Sequence, residues 1–290
     1  MALSYTLRRP LEAKPHESRE RVVLVTGAAG NIGSYFAREN HGRYRLRLML
    51  RDHDEREELE RFGEVVIGDI TNLEQMKELC RGVDTVLHLA ASASPSSKWD
   101  EVLPANIIGT YNMFAAAKSE GCRRVIYASS IHAVSGYPPD VQVKTSDPVN
   151  PGDLYGVSKC FGEALARYCA EKENVSAIAL RIGAFQPIET AQDESNIGLL
   201  DAFVSQRDLN QLIIRCIDAE HIQWAVFNGL SNNRFKRLDL SDARELVGYE
   251  PQDDLAEENP QLEPTELAED VRAHSAADKS QKSGLREDVG

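Results

Sequence analysis

The apolar run Val22-Val23-Leu24-Val25-Thr26 passes directly into Gly27-Ala28-Ala29-Gly30-Asn31-Ile32-Gly33. A β-branched strand, glycines at every third position and a helical stretch behind them form a strand–turn–helix unit, and nothing else in the 290 residues narrows the fold as much. Glycines allow a close backbone approach, and the N–H groups at the helix start attract a pyrophosphate. A glycine run alone would mark only a tight turn. With the strand before it and the helix after it, Gly27, Gly30, Asn31, Ile32 and Gly33 become candidates for holding a dinucleotide.

The unit repeats along the chain. Short apolar runs at 22–26, 46–50, 65–67, 85–89, 124–128 and 177–181 alternate with helical stretches at 32–40, 73–80, 104–120, 154–172 and 205–219. This alternation predicts an α/β fold of the Rossmann type, a doubly wound parallel sheet with a small C-terminal substrate-binding portion. Residues 1–20 carry prolines and charges without periodicity and read as a flexible arm. Residues 21–250 read as the nucleotide-binding domain, with substrate-binding elements at 183–235. Beyond 250 the chain turns rich in Glu, Asp, Pro and Gln, carries more than half of the net charge of −13, and reads as a disordered acidic tail.

Composition excludes several classes of partner. No apolar run approaches the roughly eighteen residues of a membrane span, and the N-terminus lacks a signal-peptide core, so the chain is expected to be cytoplasmic. A charge of −13 without a clustered basic face argues against nucleic acid. Five scattered cysteines without a C-x-x-C pair read as buried free thiols. His132 has no carboxylate or cysteine at ligand spacing, so no metal is expected. A small-molecule substrate is the expected partner, and a homo-oligomer stays open.

Two further regions bear on a nucleotide. About twenty residues beyond Gly33 the second strand ends in Leu50-Arg51-Asp52, where an acid grips ribose hydroxyls or a base accepts a 2′-phosphate. Asp52 favours NAD and Arg51 leaves NADP open. Asp69 and Ile70 follow the third strand, and Leu89, Ala90 and Ala91 close the fourth with side chains small enough to leave room for a cofactor. The alternative reading of Asp69 is a helix cap for the stretch from Thr71 onwards.

Tyr155 and Lys159 stand one helical turn apart, on one face. Upstream, Tyr127-Ala128-Ser129-Ser130 ends an apolar strand and delivers a hydroxyl toward the same place. A phenol with an ordinary pKa of about 10 is a poor base at neutral pH, and a neighbouring ammonium together with a nicotinamide's positive charge favours the phenolate. Tyr155 then exchanges a hydroxyl proton, Ser130 polarises the substrate oxygen, and the cofactor carries the hydride.

Taken together, the glycine turn, Gly68-Asp69, His88-Leu89-Ala90-Ala91, Asn106 with Gly109-Thr110-Tyr111-Asn112, Ala128-Ser129-Ser130 and Tyr155 to Lys159 resemble the extended short-chain dehydrogenase/reductase superfamily. The runs 105–109, 129–132, 154–163 and 181–183 look like the uronate dehydrogenases and related NAD-dependent sugar dehydrogenases. The resemblance implies oxidation of a sugar at its anomeric carbon to a lactone, with Ser130, Tyr155 and Lys159 catalytic. It adds Asn106, the family's helix-kinking asparagine, and Ile182 to the cofactor set, which Tyr155 and Lys159 also serve. Ser92, Ser94, Ser130, Ile131, His132 and Ala184 are the substrate candidates it implies. This chain departs from the uronate enzymes at Ile131 and Ala184, where they carry Asn and Ser, and it has no Arg between Ile182 and Gln206 for a sugar carboxylate. A retained-NAD epimerase or a non-catalytic sensor are the alternatives, the first disfavoured by the short C-terminal region.

Overall fold

The computed structural model describes residues 4–7, 21–52 and 56–262. Among these, the chain forms Tyr5–Leu7 (β1), Val22–Thr26 (β2), Arg45–Leu50 (β3), Glu64–Ile67 (β4), Thr85–His88 (β5), Arg124–Ser130 (β6) and Ser176–Ile182 (β7). A short separate pair, Ala184–Gln186 (β8) and Phe203–Ser205 (β9), precedes Ile222–Gly229 (β10). The main sheet has eight strands in the order β1-β10-β7-β6-β5-β2-β3-β4. Every neighbouring pair is parallel except β1 on β10.

The strands are apolar on both faces because helices cover both. Val23, Val25, Leu48, Ile126, Ile178 and Leu180 face one core, while Leu24, Met49, Val86, Val125 and Ala177 face the other. Each of these Val, Leu, Ile and Met side chains, fully buried, stabilises the fold by about 1.5–3 kcal/mol. The helices are Asn31–Asn40 (α1), Arg56–Leu59 (α2), Leu73–Cys80 (α3), Trp99–Val102 (α4), Thr110–Ser119 (α5), Leu154–Lys172 (α6), Gln206–Asp218 (α7), Ser241–Val247 (α8) and Leu255–Glu258 (α9). Asn72, Asp153 and Ser205 cap α3, α6 and α7 through side-chain oxygens.

The helix expected over 104–120 begins as a π-helical turn, Leu103–Gly109, before α5. Pro104 has no N–H to give the helical ladder, and Asn106 turns its side chain to the loop at Ser92 and to α6. Two boundary expectations are corrected. Within the arm read as flexible, Tyr5–Leu7 is an edge strand paired to β10, and the Ser4 hydroxyl donates to Asp242 at 2.7 Å. Within the tail read as disordered, residues 251–262 pack on the fold, with Leu255, Ala256 and Asn259 buried. The rest of both segments lies outside the described residues. The main sheet also holds β10, which the periodicity did not reveal.

The order in which the parallel strands are laid down reverses between β2 and β5: β3 and β4 follow β2 to one side, and β6, β7 and β10 follow β5 to the other. In open α/β sheets ligands bind outside the carboxyl ends of the strands at such a point.

Candidate active site

The turn after β2 is shaped for close backbone contact. Gly27 has φ +68°, and a Cβ there would stand 3.0 Å from the Ala90 nitrogen. At Gly33 a Cβ would come within 2.4 Å of the Gly27 carbonyl oxygen, so only glycine lets α1 start this near the strand. Thr26 and His88 lock the two strands on either side of the crossover. The Thr26 hydroxyl accepts from the Leu89 and Ala90 amides at 3.1 and 3.2 Å and lies 2.9 Å from His88 Nδ1. With both lone pairs in use, that hydroxyl donates to Nδ1, which leaves Nε2–H to donate to Thr110 Oγ1 at 3.3 Å. Burial, reinforced by the Lys159 charge, pushes the His88 imidazole down to about 3, so it is neutral and structural.

A cleft of about 530 Å³ opens at this point. One wall is the glycine turn, with Gly27, Gly30, Asn31, Ile32 and Gly33; the floor includes Leu89, Ala90, Ala91 and Ile182; the far wall holds Ser130, Ile131, His132, Tyr155, Lys159 and Ala184. A second cavity of about 690 Å³ shares Gly27, Ala90 and Ala91 and extends past Arg51, Asp69 and Ile70. The two make one groove across the strand ends. A glycine cradle that a Cβ would fill, a helix N-terminus beside it and an acid in the outer cavity fit a dinucleotide.

Lys159 is 3% exposed, and its ammonium donates to the Ala128 carbonyl at 2.7 Å. It lies 5.2 Å from the Tyr127 ring centre and 5.4 Å from that of Tyr155. Burial pushes Lys159 down to about 7. Tyr155 is raised above its usual value, first by burial and then by the Asp153 charge, with the Ser130 hydroxyl pulling the other way. The protein's own groups therefore do not lower the phenol pKa, because burial and the Asp153 charge outweigh the Ser130 hydroxyl. Any phenolate stabilisation has to come with a bound positive charge.

Behind this wall, Glu163 forms a two-point ion pair with Arg181, both contacts at 2.9 Å, and accepts from the Ser129 hydroxyl at 2.6 Å. Gly162 is needed here, since a Cβ would stand 2.1 Å from Tyr127 Cζ. Asn106 accepts from the Ser92 amide and donates to the Ser92 carbonyl and to Ser158 Oγ, which itself donates to the Tyr155 carbonyl at 2.7 Å. It lines neither cavity and acts on the site by holding the loop after β5 against α6.

Other candidates lie apart from the wall that holds Ser130, Tyr155 and Lys159. Ser92 lines the outer cavity, and Ser94 lines neither, its hydroxyl 2.8 Å from that of Ser96. Asp52 is exposed and outside the lining of both cavities. Asp69 accepts from the Thr71 amide and hydroxyl, which lower its pKa, so the turn-capping reading of that residue is also realised. Pro95 lines the cleft without having been singled out, its adjacency to Ser94 being the available signal, while Gly183 and Phe185 line it from the start of the 183–235 segment expected to bind substrate. Among the described residues no group of three or more His, Cys, Asp or Glu is placed to hold a metal, and no helix is long and apolar enough to cross a membrane.

Residues 23–206 match the NAD-dependent epimerase/dehydratase family. The chain is 32% identical over 264 residues to an NAD-dependent glucose-6-phosphate dehydrogenase of Haloferax volcanii, covering 86% of this chain and all of that one. It is also 32% identical over 260 residues to the L-arabinose 1-dehydrogenase (NAD(P)(+)) of the same organism, covering 81% and 97%. Among solved structures, the uronate dehydrogenase of Agrobacterium tumefaciens superposes with a TM-score of 0.71 at 28% identity, covering 92% of each chain.

Proposed function

The chain belongs to the NAD-dependent epimerase/dehydratase family, and from that premise we propose that it oxidises a sugar at its anomeric carbon. The observation that carries this reading is the meeting, in one cleft at the sheet crossover, of the glycine turn with Ser130, Tyr155 and Lys159. NAD, when bound, supplies the acceptor for the hydride leaving the sugar carbon. The turn from Gly27 to Gly33 would hold its pyrophosphate, Leu89, Ala90, Ala91 and Ile182 would line its path, and Asp69 and Ile70 in the outer cavity, with Asp52 next to Arg51, would serve the adenosine side. Arg51 in the outer cavity is the group that would meet the 2′-phosphate of NADP.

Tyr155 accepts the proton of the anomeric hydroxyl, Ser130 holds that oxygen, and Lys159 keeps the base oriented. Among the described residues Lys159 is the one Lys or Arg lining the cleft, and the side chains of Ile131 and Ala184 there are only carbon. A uronate carboxylate there would lose water without gaining a partner, at a cost of several kcal/mol. The substrate is therefore an aldose or derivative whose distal end carries no buried carboxylate.

The free cysteines among the described residues fit a reducing compartment and support a cytoplasmic site of action. Association with a second copy through α5 and α6 belongs to the same proposal, supported by the exposed apolar side chains Ile108, Tyr111, Val157 and Tyr168.

The test follows absorbance at 340 nm with NAD or NADP against neutral aldoses, aldose phosphates and uronates, beside Tyr155→Phe. A neutral or phosphorylated aldose is expected to turn over, with the activity lost in the variant. Preference for a uronate would overturn the substrate assignment. No turnover, with NAD retained through purification, would overturn the dehydrogenase reading itself.

A further inference from the structure

We propose that His132 and Asp153 form a positioning pair for the proposed reaction, one that clamps the loop carrying Ser130 to the helix carrying Tyr155. The inference rests on the dehydrogenase reading but concerns residues outside its three catalytic groups.

Asp153 uses its two carboxylate oxygens separately. Oδ1 accepts from the Gly156 amide at 2.7 Å, so that Asp153 caps α6 two residues before Tyr155. Oδ2 stands 2.6 Å from His132 Nδ1. Capping alone does not require a charge, because Asn or Ser serves as well. His132 is fixed at further points: its amide donates to Ser130 Oγ at 3.2 Å, and its ring meets that of Tyr155 edge-on, centres 5.5 Å apart and planes at 63°. The approach is close enough that a Cβ on Gly156 would stand 2.3 Å from the His132 carbonyl oxygen. One side-chain pair thus joins the two segments whose spacing decides whether Ser130 and Tyr155 reach the same substrate oxygen. Misplacement by about 1 Å in such an arrangement costs roughly a hundred-fold in rate.

The pair also has an electrostatic side. Asp153 raises the proton affinity of the Tyr155 phenol, and the bond from His132 Nδ1–H draws part of that negative charge away. The other groups near the phenol are Lys159 on α6, and Ser130 and Tyr127 on β6. Replacing Asp153 by Asn keeps the cap through Oδ1 and deletes the charge, its Nδ2 then donating to Nδ1 of a His132 tautomer that carries its proton on Nε2. Replacing His132 by Asn keeps a donor near the position of Nδ1, whereas Ala removes it.

The experiment labels tyrosine at ¹³Cζ in the full-length protein, assigns Tyr155 by its loss in Tyr155→Phe, and follows its shift with pH in wild type and Asp153→Asn. Onset of the phenolate shift is expected at lower pH in Asp153→Asn, by roughly half a unit, about three-fold in phenolate population. Superimposable curves in folded proteins would overturn the electrostatic coupling. On the sugar identified by the activity screen, His132→Ala is expected to lose at least about ten-fold in kcat with KM nearly unchanged, and His132→Asn to recover most of it. Equal loss in both variants with a raised KM would instead make His132 a substrate contact and overturn positioning. If wild type turns over no sugar while the Tyr155 shift moves as expected, the function reading fails and the pair's coupling to Tyr155 stands.

Discussion

Lys159 carries a cost to stability that the proposed chemistry accepts. Its ammonium is buried and its pKa is pushed down to about 7, whereas the unfolded chain holds its proton up to about 10.4. Between those values the unfolded state binds more protons, so this residue penalises the fold most at neutral pH and the penalty fades as pH rises. Lys159→Met is expected to melt higher than wild type at pH 7, by an order of a few kcal/mol, and to be inactive. The gap should narrow when the melts are repeated near pH 9.5, and a destabilised Met variant at neutral pH would refute the account. Tyr155 and Lys159 were legible from a four-residue spacing, and the glycines from their own periodicity. The partners that tune them were not: Glu163 sits in a helix where a carboxylate reads as solvated, and only the fold brings it to Arg181 and Ser129.

At the scale of elements, strands buried on both faces announced themselves as continuous apolar runs, and capped helices by Asn, Asp and Ser at their starts. The segment 251–262 did not, because its composition is that of a solvated tail. Its hold on the fold lies in a few residues. Leu255 packs with Ala191 and Phe203, Asn259 donates to the Ala191 and Asp193 carbonyls, and the buried Asp208 accepts from the Gln252 and Asp253 amides. These contacts brace the stretch from Pro187 to Ala202, whose neighbours Ala184 and Phe185 line the cleft. Leu255→Ala leaves a cavity in that small core, and a loss of about 2–5 kcal/mol is expected. Denaturant unfolding measures the loss, and limited proteolysis should cut the 187–202 stretch faster. Unchanged proteolysis would mean that the brace does not reach it. The π-helical turn shows a second limit: Pro104 and Asn106 flag an irregularity, but its form depends on Ser92 and Ser158, which only the tertiary structure supplies.

The whole molecule sets two tendencies against each other. A net charge of −13 keeps copies apart. On α6 the exposed Val157, Ala164 and Tyr168 and the half-buried Phe161 fall at helical spacing, as do the exposed Ile108 and Tyr111 and the half-buried Ala115 on the neighbouring helical stretch, so each carries an apolar stripe. Single exposed apolar residues need no explanation, but a continuous stripe over two packed helices does. A two-fold axis across this face would bury the same stripe from both copies, as an isologous contact requires. Salt should strengthen that association, because it screens the repulsion while leaving apolar burial in place. Sedimentation is expected to give a dimer whose dissociation constant falls as salt rises from about 0.05 to 1 M, ionic strengths over which screening lengths shrink several-fold. Tyr111→Asp combined with Val157→Asp should yield a monomer with an unchanged circular dichroism spectrum. Neither substitution touches the cleft lining, so NAD binding by that monomer would show that the site is complete within one chain. A wild-type protein that sediments as a monomer at every salt concentration would leave the stripe unexplained and the proposed face wrong.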